Sequence, residues 1–108
     1  MIHSKKKGNS FELHCIKLFK ELTCEQDIQS ARNSNRSLDN EGVDFETKEF
    51  YIQCKAKETS INTHDIISNM KDGKTKFLLH KRNRKGIVVS MDYNTFKTLL
   101  TGYITYTP

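Results

Sequence analysis

The sequence predicts an α/β domain: a mixed β-sheet of about five strands with helices on its two faces. Three observations point that way. Between Phe50 and Lys57, apolar Phe50, Ile52, Cys54 and Ala56 alternate with Tyr51, Gln53, Lys55 and Lys57. That is the period of two of a half-buried strand. Phe77-Leu78-Leu79 and Ile87-Val88-Val89 are uninterrupted apolar runs, which suit strands covered on both faces. Phe11 to Leu22 and Tyr93 to Leu100 repeat their apolar residues at helical spacing instead.

A chain of 108 residues makes one small domain, 1–108, with a thin core. Eighteen basic against thirteen acidic residues leave a net charge of +5, which favours a polyanionic partner such as nucleic acid. No apolar run approaches the length of a membrane span, and charges interrupt Phe11 to Leu22 too often for a signal-peptide core. The expected location is therefore cytoplasmic, with no membrane partner. Cys15, Cys24 and Cys54 are odd in number and form no C-x-x-C pair. This argues against a disulfide framework or a zinc knuckle, and Cys15 and Cys54 are expected as buried reduced thiols.

Residues 1–8 form a basic leader, expected to be a frayed terminus or an arm brushing phosphates. Asn9 or Ser10 offers an N-cap to a helix with Phe11, Cys15, Leu18 and Leu22 as its stripe, widened by Ile16 and Phe19. Glu12 lies on the flank of that stripe. It is either a first-turn residue favoured by the helix dipole or a carboxylate aimed at a site. Gln26 to Arg32 allows a short first strand. Asn33 to Asn40 is expected as a polar loop with nothing to anchor it in a core, placed at the mouth of a site.

Val43–Thr47 and Phe50–Ala56 follow as two strands joined tightly at Lys48-Glu49, a spacing that favours an antiparallel pair. Asn62 caps a helix with Ile66, Ile67 and Met70 on its apolar side, ended by Asp72-Gly73. Two further strands, at 76–80 and 87–89, flank a turn of four cations, Lys81-Arg82-Asn83-Arg84-Lys85-Gly86. The turn suits either a soluble hairpin tip or a phosphate contact. Asp92 caps a last helix with Tyr93, Phe96, Leu99 and Leu100 at core spacing. The tail 101–108, with Tyr103, Ile104 and Tyr106, suits an edge strand or a self-association surface.

The period of two puts Gln53 and Lys55 side by side on the polar strand face, just downstream of Asp44. Magnesium takes hard oxygen ligands. Asp44 offers a carboxylate, Gln53 an amide oxygen, and the backbone carbonyl of Cys54 a third contact. Lys55 is charged and cannot ligate; it would orient or help deprotonate the attacking water, or steady charge on a phosphate. The plain alternative is a Lys and a Gln on a solvated strand.

This arrangement, Gly42-Val43-Asp44 followed by Gln53-Cys54-Lys55, resembles the PD-(D/E)XK nuclease superfamily. Asp44 matches its aspartate, Gln53 its second acidic position, Lys55 its lysine and Glu12 its first-helix glutamate. The order of elements resembles archaeal Holliday-junction resolvases, and Ile52-Gln53-Cys54-Lys55 resembles the Mrr-type restriction branch, where Gln replaces the acid. Two features depart from the pattern: Val43 stands where a proline often precedes Asp44, and Gln53 lacks a charge. Glu12, or Glu46 on the strand face of Asp44, would offset that loss.

The resemblance implies a restriction-endonuclease-like fold and a DNA endonuclease using Mg2+, with Mn2+ able to substitute. Its favoured substrate is a branched or four-way junction, cut by a homodimer. It implies catalytic roles for Glu12, Asp44, Gln53 and Lys55. The metal would sit among Asp44, Gln53, the Cys54 carbonyl and Glu12. DNA would meet Arg32, Ser34, Arg36, Lys57, Lys81, Arg82, Arg84 and Lys85, with Arg32 and Ser34 in the assisting loop positions. The alternatives are a nucleic-acid-binding module with a decayed site and a Mrr-like restriction domain.

Overall fold

The computed structural model describes residues 2–106, and their side chains from residue 8 onward. Contacts expected of the leader's side chains up to residue 7, and of residues 107–108 of the tail, lie outside the described residues. The chain runs α1 (Ile2–Thr23), α2 (Ala31–Ser34), α3 (Arg36–Asn40), β1 (Phe45–Glu46), β2 (Phe50–Ala56), α4 (Thr63–Asn69), β3 (Thr75–Lys81), β4 (Val88–Ser90) and α5 (Tyr93–Tyr106). The strands form one mixed sheet in the order β1-β2-β3-β4. β1 and β2 are antiparallel, β2 and β3 parallel, and β3 and β4 antiparallel.

Helices cover both faces of the sheet. α1 lays Phe11, Cys15 and Ile16 on the face carrying Phe45, Ile52, Phe77 and Leu79, and Cys54 and Ala56 pack against that cluster. On the other face Tyr51 meets Ala31, Leu38, Val43 and Met70, drawn from α2, α3, the approach to β1 and the end of α4. Burying these side chains supplies most of the drive to fold, each large one contributing about 1.5–3 kcal/mol. Leu78 and Leu79, on opposite faces of β3, are both buried, as the uninterrupted run requires. Asn62 caps α4 as expected, its side chain accepting from the Asp65 amide.

Several expectations need correction. Residues 2–8 of the leader are helical: α1 starts at Ile2 and runs through Gly8, Asn9 and Ser10. Lysine is a good helix former, and a glycine inside a 22-residue helix costs only about 1 kcal/mol. The strand allowed for Gln26–Arg32 shrinks to a single bridge, Ser30 to Phe45, so the described residues hold four strands rather than five. The loop Asn33–Asn40 is folded into α2 and α3 and is anchored, because Leu38 is only 4% exposed. The Asn35 side chain caps α3 by accepting from the Leu38 amide.

The far edge also differs. Val88 and Val89 are exposed, so β4 is an edge strand rather than one covered on both faces. Asp92 does cap the last helix, accepting the Thr95 amide at 2.8 Å. That helix, however, buries none of its residues and absorbs the tail as far as Tyr106. Phe96, Leu99, Leu100 and Tyr103 share one helical face but reach no core. The Cα radius of gyration is 14.2 Å, against about 13 Å for a compact chain of this length. The long axis of 49 Å agrees with helices that project from the body.

Candidate active site

The sequence brings Asp44 into place through three local devices. Gly42 has φ +78°, and a Cβ there would meet the Asn69 carbonyl at 3.3 Å, so this approach to α4 favours glycine. Val43 is then fully buried. The Asp44 amide donates to the Ile52 carbonyl at 2.8 Å, and the Ala31 amide donates to the Asp44 carbonyl at 2.7 Å. With its backbone held, Asp44 Oδ2 accepts the Cys54 amide at 2.7 Å. It is thus the N–H of Cys54 that meets Asp44; the carbonyl expected as a ligand has no contact with it among those described.

Burial pushes the Asp44 carboxyl up to about 6, against the opposing pull of the Cys54 hydrogen bond. Glu12 raises it further and Lys55 lowers it. A carboxylate kept in a costly buried position beside a second carboxylate marks a functional-site candidate. The Cys15 thiol beside it, together with burial, pushes the Cys54 thiol far above its ordinary range. All three cysteines are free.

Glu12 is buried, so the site reading of this residue fits better than a solvated first-turn carboxylate. The extension of α1 to Ile2 also removes it from the first turn. Ser30 Oγ donates to Glu12 Oε1 in a short hydrogen bond, and Arg32 Nη1 lies 3.7 Å from Glu12 Oε2. Arg32 Nη1 also donates to the Asn9 side chain. Arg32 therefore supports Glu12 from within the fold. Ser34 does not reach the site: its hydroxyl donates to the Ser30 carbonyl at 3.0 Å. Ser30 is the hydroxyl that sequence reasoning missed. It carries no local sequence signal; the bridge from Ser30 to Phe45 is what holds it there.

Gln53 carries the sharpest feature: its Oε1 is buried without a hydrogen-bond partner. Such orphans are rare in folded proteins and ask for a water, an ion or a ligand. Glu46, the alternative carboxylate, is taken by Lys74 Nζ at 3.1 Å, and the same ammonium donates to the Thr47 carbonyl at 2.7 Å. Among the described residues no three His, Cys, Asp or Glu side chains converge as a metal cluster. Glu12 lies near enough to raise the Asp44 carboxyl, and Gln53 stands on the strand adjoining Asp44; oxygen donors of these types are the kind that suit Mg2+.

Lys55 links this site to a groove. A cavity of about 490 Å³ is lined by Lys55, Lys57, Lys81, Arg82 and Lys85, with Ser60, Thr63 and His80 among its other walls. Arg82 to Lys85 close the β3–β4 hairpin, the Lys85 amide donating to the Arg82 carbonyl at 3.1 Å. Glu58 ties the turn down by accepting the Asn83 amide at 2.9 Å. Arg84 is exposed on the same turn, with φ 59°. Arg36 is exposed at the start of α3, outside the groove lining. The groove lies at the C-terminal ends of the parallel strands β2 and β3, the usual ligand-binding end of parallel strands in open α/β sheets. No helix among the described residues is long and apolar enough to cross a membrane. The chain matches no protein-family model, no curated protein and no solved structure.

Proposed function

We propose that this chain is a metal-dependent DNA endonuclease of the PD-(D/E)XK type with a restriction-endonuclease-like fold, acting on branched DNA. The single observation that carries the reading is the buried, unpartnered Gln53 Oε1 on the strand adjoining Asp44. A divalent cation among Asp44, Gln53 and Glu12 would satisfy that oxygen and repay the cost of burying the Asp44 charge. When bound, it would supply Lewis-acid polarisation of a phosphate oxygen and a water of lowered pKa.

The chain's own residues do the rest. Asp44 is held by the Cys54 amide, so its carboxylate is fixed before substrate arrives. Glu12 is oriented by Ser30 and Arg32. Lys55 Nζ donates to the phosphate or to the attacking water, and the cations of the groove hold the flanking backbone. Cutting both strands of a junction calls for two sites. The uncovered face of α5 is the surface we assign to a homodimer contact.

The test is cleavage of a four-way junction and of plain duplex with Mg2+, comparing wild type with Asp44→Asn and Lys55→Ala. Wild type should cut the junction, and each variant should lose about 10²-fold or more. A wild type inert on every DNA form, or variants that cut as well, would refute the assignment. A second reading, a binding module with a weakened site, is favoured by the neutral Gln53 and by the want of a third acidic ligand among the described residues. It predicts salt-sensitive DNA binding with no cleavage even in Mn2+.

A further inference from the structure

His80 belongs to neither core cluster, yet its ring is held in place. In the parallel register His80 is the partner of Lys55, and in the antiparallel register it is the partner of Val88. Lys55, His80 and Val88 therefore form one row across the sheet on a single face, and all three line the cation groove. The next row on that face is Gln53, Leu78 and Ser90. Ser90 is the diagonal neighbour of His80, and its Oγ lies 2.9 Å from His80 Nε2.

That contact decides what the imidazole can offer. When the Ser90 hydroxyl donates to Nε2, the ring proton sits on Nδ1, which becomes a donor. No contact described for His80 uses Nδ1. The charged residues that line the groove with it are cationic: Lys55 on β2, Lys57 beyond it, Lys81 on its own strand, and Arg82 and Lys85 in the turn, while Glu58 sits behind that turn on the Asn83 amide. An anion entering this groove selects the tautomer that donates from Nδ1.

We propose that His80, set by Ser90, is a phosphate-contact residue that holds the backbone phosphate next to the one being cut. This rests on the nuclease reading and deepens it. Gln53 and Lys55 are separated by roughly 6.6 Å along β2, comparable to the step between successive phosphates on one strand. With the phosphate being cut at Gln53 and Asp44, in reach of Lys55 Nζ, its neighbour lies on the groove side of Lys55, beside His80. His80 touches substrate in this arrangement and transfers no proton.

The experiment is a methylphosphonate scan, in which each backbone phosphate of a four-way junction and of a duplex is neutralised in turn. Binding is read by fluorescence anisotropy without divalent ion, so it does not depend on cleavage. Wild type should lose about tenfold in affinity when the contacted phosphate is neutralised. His80→Ala should bind unmodified DNA about tenfold more weakly and lose nothing further at that one position. It should keep wild-type sensitivity everywhere else. Ser90→Ala should show a weaker version of the same pattern. A general loss of folding lowers affinity at every position alike and cannot produce this map. The inference is overturned if His80→Ala matches wild type on unmodified DNA, or stays sensitive at every position where wild type is. If wild type binds and cuts DNA while the His80→Ala map is unchanged, this inference alone falls. If wild type binds no DNA, the nuclease reading falls with it.

Discussion

Asp44 Oδ2 accepts the backbone amide of Cys54 at 2.7 Å, just beyond the Phe45–Ile52 pair that ends the β1–β2 ladder, so a side chain takes up the next β2 amide. Burial raises that carboxylate to about 6 from an ordinary 3.8. For an acid with a raised folded-state pKa, ionisation costs stability. The cost is complete above the folded value near 6 and disappears below 3.8. Asp44→Asn keeps an oxygen for the Cys54 amide and removes the charge. It should stabilise the metal-free protein by on the order of 2–3 kcal/mol at pH 7.5, with the gain gone by pH 3.5. Urea unfolding of both proteins across that range checks it.

Ser30 and Ser34 separate by experiment. Ser30→Ala strips a hydrogen bond from buried Glu12 and should cost about 1–3 kcal/mol. Ser34→Ala removes only a bond to the Ser30 carbonyl and should cost about 0.5–1.5 kcal/mol. Thermal melts of the two variants, with cleavage assays alongside, give the comparison. Only Ser30→Ala should lower activity.

Leu38 holds the segment between Ala31 and Asn40 against Val43, Tyr51 and Met70. Leu38→Ala should destabilise by about 2–4 kcal/mol. Hydrogen exchange should show faster opening of α2 and α3. A variant that melts like wild type would mean the segment is not anchored there.

The turn cations should act through phosphate neutralisation. Arg82→Ala with Lys85→Ala should weaken binding to all DNA forms alike and make the salt dependence shallower by about two charges' worth of slope. Affinity measured at several salt concentrations reads this directly. An unchanged slope would leave the turn as a soluble hairpin tip.

The face of α5 should be a contact between copies. Leu99→Glu with Tyr103→Glu should shift a dimer to monomer in light scattering, with little change in the monomer's own stability, because α5 buries nothing in the fold. A wild type that is monomeric at micromolar concentration would contradict the assignment.

Much of the fold was legible in the sequence because local periodicity carries it. The alternation Phe50–Lys57 located β2 and placed Gln53 and Lys55 on one face, and Phe77-Leu78-Leu79 located a doubly covered strand. Asn62 and Asp92 announced their helices because a cap is a local hydrogen bond. The sequence by itself therefore determined the α/β class, the central strand, and the placing of Asp44, Gln53 and Lys55 within reach of adjacent strands. Tertiary structure alone decided the remainder. Whether Glu12 is buried depends on Ser30 and Arg32, 18 and 20 positions downstream, and no local pattern encodes such a pairing. Leu38 is a single apolar residue in a polar run, and one residue has no period. The apolar stripe of α5 looks the same whether it meets the core or projects from it, since amphipathicity states what a helix needs and leaves its partner open. The parallel pairing of β2 and β3, which sets His80 beside Lys55, arises only when α4 carries the chain back across the sheet.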